Sequence, residues 1–315
     1  MKRTLLSILV CPDCKKDLKI NVFEEDEEIR EGELICRECG SVYPIKNYIP
    51  RFVDRDKYVE SFSFEWHTHR STQLDSKTGR NETEKDFQIK TGFTSDELKD
   101  KLVLDAGCGV GRHMEVALKY GASVVGVDLS FSVDVAYENV GKNLKANVIQ
   151  ADILNLPFKS EVFDAAYSMG VLHHTPDTKK AFLSLVPLIK EGGKIAIFVY
   201  SNEGFYMKLY NKNSDFWRFF TTRVPEKKLY AFCNNYANLM YPLKKIRYLR
   251  AILQLVLPPS SYHPNRIWRV LDTYDWISPK YQWKHTYKEV EGWFKEAGLK
   301  KIERLSFPVA VRGRK

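Results

Sequence analysis

Along residues 98–200, strand-like and helix-like spacings of hydrophobic residues alternate. Short apolar runs predict five strands, at Lys101–Asp105, Ser123–Asp128, Asn147–Ala151, Phe163–Ser168 and Lys194–Tyr200. Helical spacing predicts three helices between them, at Arg112–Tyr120, Phe131–Asn143 and Lys179–Ile189. Because strands that alternate with helices form a parallel sheet with helices on both faces, we expect an α/β fold.

The flanking segments have other patterns and predict a division of the chain into five parts. Residues 1–52 form a small unit. Residues 53–97, with aromatic residues at Ser61–His69, are a polar linker or cap segment with short helices, which we expect to fold over the core. Residues 98–200 are the α/β core. Helical patterns at Phe216–Phe220, Leu229–Met240 and Leu243–Leu257 predict a helical lid over residues 201–285. A helix at Thr286–Ala297 and strands at Lys301–Leu305 and Val309–Val311 would complete the sheet from residues 286–315.

Four of the six cysteines form two CxxC pairs, Cys11 with Cys14 and Cys36 with Cys39. Thiols at this spacing are typical of a tetrahedral Zn²⁺ site, and four thiolates indicate a structural metal. The alternative is a redox dithiol, which two separated pairs disfavour. The acidic stretch Glu24–Glu28 lies between the pairs and predicts the tip of an extended hairpin.

The cysteine-containing segment resembles the zinc-ribbon domain of the small activator subunit that partners tRNA and rRNA methyltransferases. Ribosomal RNA guanine methyltransferases also carry an N-terminal module of the CxxC type. The resemblance therefore keeps RNA open as a substrate.

A glycine-rich loop follows the first core strand and leads into a helix. It runs from Asp105 through Gly107, Cys108 and Gly109 to Gly111. A dinucleotide-binding loop would require Gly-x-Gly-x-x-Gly, and Arg112 occupies the place of its last glycine. Glycines allow a ligand to approach the backbone, and Asp105 could hold an ammonium group.

Acidic residues also end the next two strands. Asp128, followed by Leu129 and Ser130, is placed to accept hydrogen bonds from both hydroxyls of a ribose. Asp152 could accept from an adenine amino group while Ile153 covers the ring. Helix capping would account for one of the three acids, but three in register with three strand ends favour S-adenosylmethionine (SAM) over NAD.

The fourth strand ends in Tyr167-Ser-Met-Gly-Val-Leu-His-His-Thr-Pro-Asp177. With this string, residues 98–200 and the C-terminal helix and strands resemble class I SAM-dependent methyltransferases of the large family that includes quinone-biosynthesis methyltransferases. The resemblance implies a Rossmann-like sheet of seven strands, one of them antiparallel. The expected cofactor-binding residues are Asp105, Gly107, Cys108, Gly109, Gly111, Asp128, Leu129, Ser130, Asp152, Ile153, Ser168, Gly170 and Val171. The acceptors of this family are diverse, so the acceptor stays open.

Methyl transfer is an in-line displacement, and a hydroxyl or amine acceptor also requires a base. His173 and His174 follow the fourth strand and are candidates for that base, although either could instead cap the next turn or pack beneath the cofactor. Asp275, Tyr281 and His285 lie in a segment that returns to the carboxyl edge of the sheet, where we expect them to line the pocket. The alternative is a turn leading into the last helix, capped near Thr286.

Charge is concentrated in the expected lid. The chain carries a formal charge of +9, and residues 201–260 contain ten Lys and Arg against three Asp and Glu, with twelve aromatic residues among them. The simplest interpretation is a lid with its own aromatic core and a solvated basic surface. In the preferred functional interpretation, the lid closes on a small or saccharide-type metabolite that could be phosphorylated or lipid-linked, and its basic amphipathic helices touch a membrane surface.

Two other functions stay open. In the first, basic residues follow an RNA backbone while aromatic residues stack on bases; the acidic stretch Glu24–Glu28 of the ribbon disfavours it. In the second, the chain is a SAM-binding regulatory or scaffold subunit. The 315 residues contain no apolar run near the roughly 20 needed to span a bilayer. Cys11 interrupts a signal-like start, so we expect a cytoplasmic protein.

Overall fold

The computed structural model describes residues 1–53, 70 and 72–315. The aromatic segment Ser61–His69 lies outside the described residues. The central sheet has seven strands: β5 (Leu102–Ala106), β6 (Ser123–Asp128), β7 (Ala146–Gln150), β8 (Phe163–Met169), β9 (Ile189–Phe198), β10 (Lys300–Arg304) and β11 (Ala310–Arg314), which follow β1 to β4 of the N-terminal unit. Their order is β10-β11-β9-β8-β5-β6-β7. Only β11 runs against its neighbours within this sheet, so the expected Rossmann-like topology is confirmed.

Helices cover both faces of this sheet. They comprise Arg112–Lys119, Ser132–Ala136 continued by a π turn at Tyr137–Gly141, Thr178–Leu185 and Tyr287–Glu296, with 3₁₀ turns at Ile153–Asn155, Leu172–His174 and Val186–Leu188. The strands that helices cover on both faces, such as β5 and β6, consist almost wholly of buried apolar residues, as is typical of parallel sheets. The fifth core strand is longer than its apolar run indicates, because it begins at Ile189 and includes Gly192 and Gly193.

The N-terminal unit, residues 1–52, is called the ribbon below. A 3₁₀ turn at Arg3–Ile8 precedes four antiparallel strands, β1 (Leu18–Glu25), β2 (Ile29–Cys36), β3 (Val42–Lys46) and β4 (Ile49–Pro50). The acidic stretch forms the tip of the β1–β2 hairpin, as expected. Three of its five acids form ion pairs: Glu24 with Arg30, Glu25 with Arg3 and Glu28 with Lys2.

The ribbon packs on the edge of the central sheet beside β7. Arg51 forms a parallel bridge with Gln150, and the backbone N–H of Phe52 donates to the Gln150 carbonyl at 2.8 Å. Leu9 bridges Phe158 on the same side. The ribbon and the catalytic core share one hydrophobic cluster. The ribbon therefore covers an edge strand that would otherwise present unpaired backbone groups.

The described part of residues 53–97 contains short helices, as the sequence predicts. It forms three helices, at Asp75–Thr78, Glu82–Thr91 and Ser95–Leu98. Phe87 is fully buried against the core and meets the ring of Tyr167 edge-on at 5.0 Å. A segment without clean hydrophobic periodicity thus supplies part of the core, because a single helical turn carries Phe87 and Thr91 inward.

The lid, residues 201–285, is helical, as the sequence predicts. Its helices are Gly204–Thr221, Glu226–Lys244, Arg247–Val256 and Arg266–Ile277. Asp275 occupies the final turn of the last of these helices, which Asn265 caps by accepting from the N–H groups of Ile267 and Trp268. Among the described residues, no helix has both the length and the apolar character needed to cross a membrane.

Candidate functional site

A single cavity of about 830 Å³ lies at the carboxyl edge of the central sheet, beneath the lid. One end, called the cofactor end, is walled by eight of the expected cofactor residues: Gly107, Cys108, Gly109, Asp128, Leu129, Ile153, Gly170 and Val171. The other, called the acceptor end, is walled by side chains from the Glu82–Thr91 helix, β9 and the lid. Ligands of open α/β folds bind at this edge of the sheet.

The glycine loop passes very close to the segment after β8. Gly107 has φ of +92°, and a Cβ at this position would lie 2.4 Å from both methyl carbons of Val171. A side chain would therefore clash as well as strain the backbone. The N–H of Gly107 donates to the Val127 carbonyl at 2.7 Å, which ties the loop to β6. Glycine at this position lets the loop and the Val171 segment meet at the cofactor end.

Asp105 lies fully buried at the end of β5, below the loop. Neither of its carboxyl oxygens accepts a hydrogen bond of normal geometry from the described residues, although the hydroxyl of Tyr167 lies near enough to interact with it. Burial raises the pKa of this carboxyl to about 8; the Tyr167 hydroxyl opposes that rise, and the charge of Asp128 adds to it. A buried carboxylate without a partner is costly unless a cation or donor satisfies it. An ammonium group such as that of SAM fits this requirement.

Asp128 organises the loop through several donors. Its Oδ2 accepts from the N–H of Gly109 at 2.9 Å, while Oδ1 accepts from the N–H and hydroxyl of Ser130 at 2.9 and 2.7 Å. These bonds fix the carboxylate against the cavity wall. Burial raises the pKa of Asp128, and the Ser130 and Gly109 donors oppose that rise.

Five expected cofactor residues do not line the cavity. Besides Asp105, they are Gly111, which opens the following helix; Ser130, which supports Asp128; Ser168, which donates to the Ala106 carbonyl at 2.6 Å; and Asp152. Asp152 accepts from the N–H of Leu154 at 3.0 Å and caps a 3₁₀ turn. Capping, the alternative considered for such acids, is thus visible at Asp152.

The acceptor end combines carboxylates with aromatic rings. Asp275 accepts from the hydroxyl of Tyr200 at 3.2 Å, and the ring of Tyr200 stacks on Trp276 at 4.6 Å. One turn earlier, Asp272 accepts from the hydroxyl of Ser261 at 3.1 Å. Burial raises the pKa of Asp275 to about 6 and that of Asp272 to about 7, where the neighbouring Asp275 charge contributes.

A cation faces these carboxylates from the Glu82–Thr91 helix. Lys90 pairs with Asp86 at 2.7 Å, and its ammonium lies over the rings of Phe198 and Phe307 at 4.4 and 4.6 Å. Burial lowers the pKa of Lys90, although Asp86 opposes this. His113, at 3.8 Å from Asp86, is buried, and desolvation lowers its pKa to about 4. The acceptor end thus carries charges of both signs.

Of the expected catalytic residues, only His174 and Asp275 line the cavity. The Nδ1 of His174 lies 2.8 Å from the Tyr281 carbonyl, which can only accept, so Nδ1 carries the proton. Burial lowers the pKa of His174 to about 3. His173 is fully buried behind Tyr200, with ring centroids 3.9 Å apart, and burial holds its pKa well below the usual range.

Tyr281 and His285 lie away from the cavity wall. Tyr281 contributes its backbone carbonyl to His174. His285 Nε2 contacts the Thr178 hydroxyl at 3.0 Å, and its ring meets Trp293 edge-on. Both residues connect the end of the lid to the core.

Several acceptor-end residues were not predicted from the sequence, in particular Lys90, Asp86 and Asp272. A signal existed for the helix of Asp272, since Asn265 is a favourable cap and Val270, Tyr274 and Ile277 recur with helical spacing. No local signal places Lys90 at a cavity, because the position depends on how its helix packs over β9.

A chain of polar contacts joins the ribbon to the cofactor end. Arg51 bonds Asp134 at 2.5 Å and the side-chain carbonyl of Gln150 at 2.9 Å. The amide of Gln150 in turn donates to the carbonyl of Leu129 at 3.0 Å. Leu129 follows Asp128 and lines the cavity. The ribbon therefore supports the backbone that carries the cofactor-end carboxylate.

The four CxxC cysteines converge in the ribbon. Their Sγ atoms all lie within 4.8 Å of one another, with Cys14 and Cys36 at 3.3 Å and Cys11 and Cys39 at 3.6 Å. Four sulfurs around a Zn²⁺ ion at about 2.3 Å would be separated by comparable distances. Each CxxC turn closes with a residue of positive φ, Lys15 or Gly40. The arrangement fits a tetrahedral metal site.

Two parts of the chain match known protein families. Residues 104–197 match a family described as a methyltransferase domain, and residues 2–47 match the Trm112p-like protein family. The chain thus contains a Rossmann-like methyltransferase domain behind a Trm112p-like domain.

The chain is also similar to named methyltransferases. The ubiquinone biosynthesis O-methyltransferase of Coxiella burnetii is 40% identical over 115 residues, which cover 36% of this chain and 49% of that protein. The tRNA U34 carboxymethyltransferase of Cellvibrio japonicus is 34% identical over 105 residues, 32% of this chain and 33% of that protein. The chain spans at most about half the length of these curated relatives.

Solved structures are more distant. The Haemonchus contortus phosphoethanolamine N-methyltransferase 2 complex is 18% identical with a TM-score of 0.47, covering 82% of this chain and 48% of that one. A Haloferax volcanii complex of the Trm112 activator with a methyltransferase is 14% identical with a TM-score of 0.45, covering 83% and 99%. Such likenesses do not bear on the acceptor.

Proposed function

We propose that this chain is a SAM-dependent methyltransferase that acts on a hydroxyl or amine of a small, polar, saccharide-type acceptor. The observation that carries the proposal is the continuity of the cavity. One space is walled by the glycine loop and Asp128 at one end and by Asp275, Tyr200 and aromatic rings at the other. An in-line transfer needs donor and acceptor in such a shared space.

The cofactor end would hold SAM through the expected residues. Asp105 would receive the ammonium group, and Asp128 the ribose hydroxyls, while Leu129 and Ile153 would enclose the adenine. The buried carboxylate of Asp105 supports this assignment, since a cation would remove the cost of leaving it without a partner. When bound, SAM supplies an electrophilic methyl group.

Asp275 is the best-placed base at the acceptor end. Its pKa of about 6 leaves it ionised near neutral pH and still basic enough to take a proton. His174, whose pKa burial lowers to about 3, is a much weaker base. In the proposed step, the acceptor oxygen or nitrogen forms a bond to the methyl carbon as the carbon–sulfur bond breaks. The acceptor proton passes to Asp275, which the Tyr200 hydroxyl holds in place.

The four cysteines would hold a structural Zn²⁺ ion that stabilises the ribbon. Four thiolates leave no ligand position for a substrate, so the metal would act on folding alone. Metal analysis of the purified protein should find one zinc per chain, and Cys36→Ser should lose it.

The composition of the acceptor end favours a small acceptor over RNA. Asp272 and Asp275 both face the cavity and would repel a phosphate backbone. Aromatic walls such as Trp276 and Tyr262, together with a few polar groups, are typical of pockets for small ligands. RNA is the second candidate, because one relative bears the name of a tRNA-modifying enzyme and the lid is basic.

The test is to incubate the purified protein with methyl-labelled SAM and a fractionated cell extract. We expect label in small molecules or glycans, and Asp275→Asn should abolish it. Label in RNA that survives protease treatment and lipid extraction would overturn the choice of acceptor. Tight SAM binding without transfer to any fraction would instead indicate a regulatory or scaffold subunit.

A further inference from the structure

The lid carries an exposed apolar surface on its Arg247–Val256 helix. None of the ten residues of the Arg247–Val256 helix is buried, and Tyr248, Ile252 and Val256 are 81%, 62% and 62% exposed. Because these three residues are spaced by four, they form one stripe along the helix. Exposed large apolar residues in such a contiguous array mark a contact surface.

A second helix extends this stripe. The indole N–H of Trp217 donates to the Val256 carbonyl at 3.1 Å, which brings the Gly204–Thr221 helix alongside. The Trp217 ring contacts Phe216 at 5.5 Å, Phe216 contacts Phe220 at 5.4 Å, and Phe220 contacts Phe219 at 5.2 Å. These three phenylalanines are 50–59% exposed. We call Phe216, Phe219, Phe220, Tyr248, Ile252 and Val256 the docking face.

Cations border the docking face. The guanidinium of Arg223 lies over the Phe219 ring at 4.0 Å, and Lys245 and Arg247 are exposed next to Tyr248. Residues 201–260 contain ten Lys and Arg but only three Asp and Glu, and one of these acids, Asp215, already pairs with Lys284. An apolar surface with a cationic border is complementary to a membrane that contains anionic lipid.

We propose that the docking face binds an anionic membrane surface. Two other occupants fit less well. A second copy of this chain would bring like charges such as Arg223 and Arg247 face to face in a symmetric contact. RNA gains nothing from the aliphatic side chains of Ile252 and Val256, which neither stack on bases nor form hydrogen bonds.

Docking would also orient the cavity. Gln254 lies on the Arg247–Val256 helix, which carries part of the docking face. It lines the cavity and accepts from the Tyr206 hydroxyl at 3.1 Å. Tyr262, beneath Arg250 at 4.2 Å, lines the cavity at the same side. A lipid-linked acceptor held at the membrane could thus reach the acceptor end. This last consequence rests on the proposed function, whereas docking itself does not.

The experiment is sedimentation of the full chain with vesicles, without SAM or acceptor. We expect binding to vesicles of phosphatidylcholine with about one-third phosphatidylglycerol, and much weaker binding to phosphatidylcholine alone. The double variant Ile252→Glu/Val256→Glu should weaken binding about tenfold or more. Its matched control is Leu144→Glu, which changes an apolar residue 86% exposed on the catalytic core and should leave binding unchanged.

A charge-reversal pair separates the electrostatic part. Lys245→Glu/Arg247→Glu should weaken binding about tenfold or more, whereas Lys288→Glu/Lys295→Glu, exposed on the C-terminal helix, should have little effect. Binding of S-adenosylhomocysteine by every variant would show that each is folded.

Three results would overturn the docking proposal. They are equal vesicle binding by the wild type and both lid variants, self-association that the Ile252→Glu/Val256→Glu variant abolishes, and displacement of the protein from vesicles by an RNA oligonucleotide at low concentration. Because no methyl transfer is measured, failure of docking would leave the proposed activity intact, and loss of activity would leave docking intact.

Discussion

The two ends of the cavity are built in different ways. The cofactor end comes from residues at the carboxyl ends of the neighbouring strands β8, β5, β6 and β7, so the sheet topology places them together. The acceptor end draws on distant segments, with Lys90 from the helix before the core, Tyr200 after β9 and Asp275 from the lid. A sheet edge thus fixes one ligand through topology, while the other ligand is defined by segments that can vary without disturbing the sheet.

The largest expected effect separates the two ends by chemistry. Asp275→Asn should lower kcat about 1000-fold, because it removes the proposed base, while S-adenosylhomocysteine binding should stay unchanged. The wild-type rate should rise with pH through about 6 as Asp275 loses its proton, and this limb should vanish in the variant. Steady-state rates over a pH series measure both.

Asp272→Asn is the control for this prediction, since it removes a carboxylate from the same helix one turn earlier. It should lower kcat less than about tenfold, because it lacks the Tyr200 contact. Equal losses in the two variants would contradict the assignment of Asp275.

The next effect concerns the cofactor end. Asp128→Ala should weaken S-adenosylhomocysteine binding about 100-fold, since hydrogen bonds to a charged group contribute about 1.5–3 kcal/mol. Calorimetric titration measures this loss, and Asp275→Asn serves as the acceptor-end control. Similar affinities of the Asp128 variant and the wild type for S-adenosylhomocysteine would contradict the assignment of the ribose to Asp128.

A smaller effect should reach the cofactor end from the ribbon. Arg51→Met breaks the chain of contacts from Arg51 through Gln150 to Leu129, and we expect about tenfold weaker S-adenosylhomocysteine binding. Arg3→Met is the control, because it removes an exposed ribbon ion pair with Glu25. If both variants bind like the wild type, the ribbon and the cofactor end are independent.

The smallest effect is on stability at the acceptor end. The folded-state pKa of Asp272, about 7, lies above the ordinary value, so the folded state holds a proton that the unfolded state releases between about pH 4 and 7. Stability is therefore lost as pH rises through this range. Asp272→Asn should stabilise the protein by about 1 kcal/mol at pH 8 and by much less at pH 5, as measured by urea unfolding. An equal gain at both pH values would contradict this cause.

The sequence predicts the sheet and the cofactor end well for the same reason. Apolar runs locate the strands, and Asp105 and Asp128 lie at their carboxyl ends, so local pattern and tertiary position coincide. Topology then brings the strand ends together.

The acceptor end could be predicted only in part. The prediction that Asp275 faces the pocket agrees with the cavity lining, but the helix Arg266–Ile277 that carries it was not predicted. Lys90 and Asp86 lie on a helix whose sequence shows no clear apolar face, so only packing reveals that they face the cavity. His285 and Tyr281 lie near the site but do not line the cavity: His285 contacts Thr178, and Tyr281 contributes only its backbone carbonyl to His174. Spacing along the chain does not determine this difference.

The most direct test of the central claim is a crystal structure of the full chain with S-adenosylhomocysteine. We predict that the ammonium group lies within hydrogen-bond distance of Asp105 and that the ribose hydroxyls lie on Asp128. The sulfur should then face the end of the cavity that holds Tyr200 and Asp275. A ligand bound outside this cavity, or one whose sulfur faces away from Asp275, would contradict the shared-cavity account.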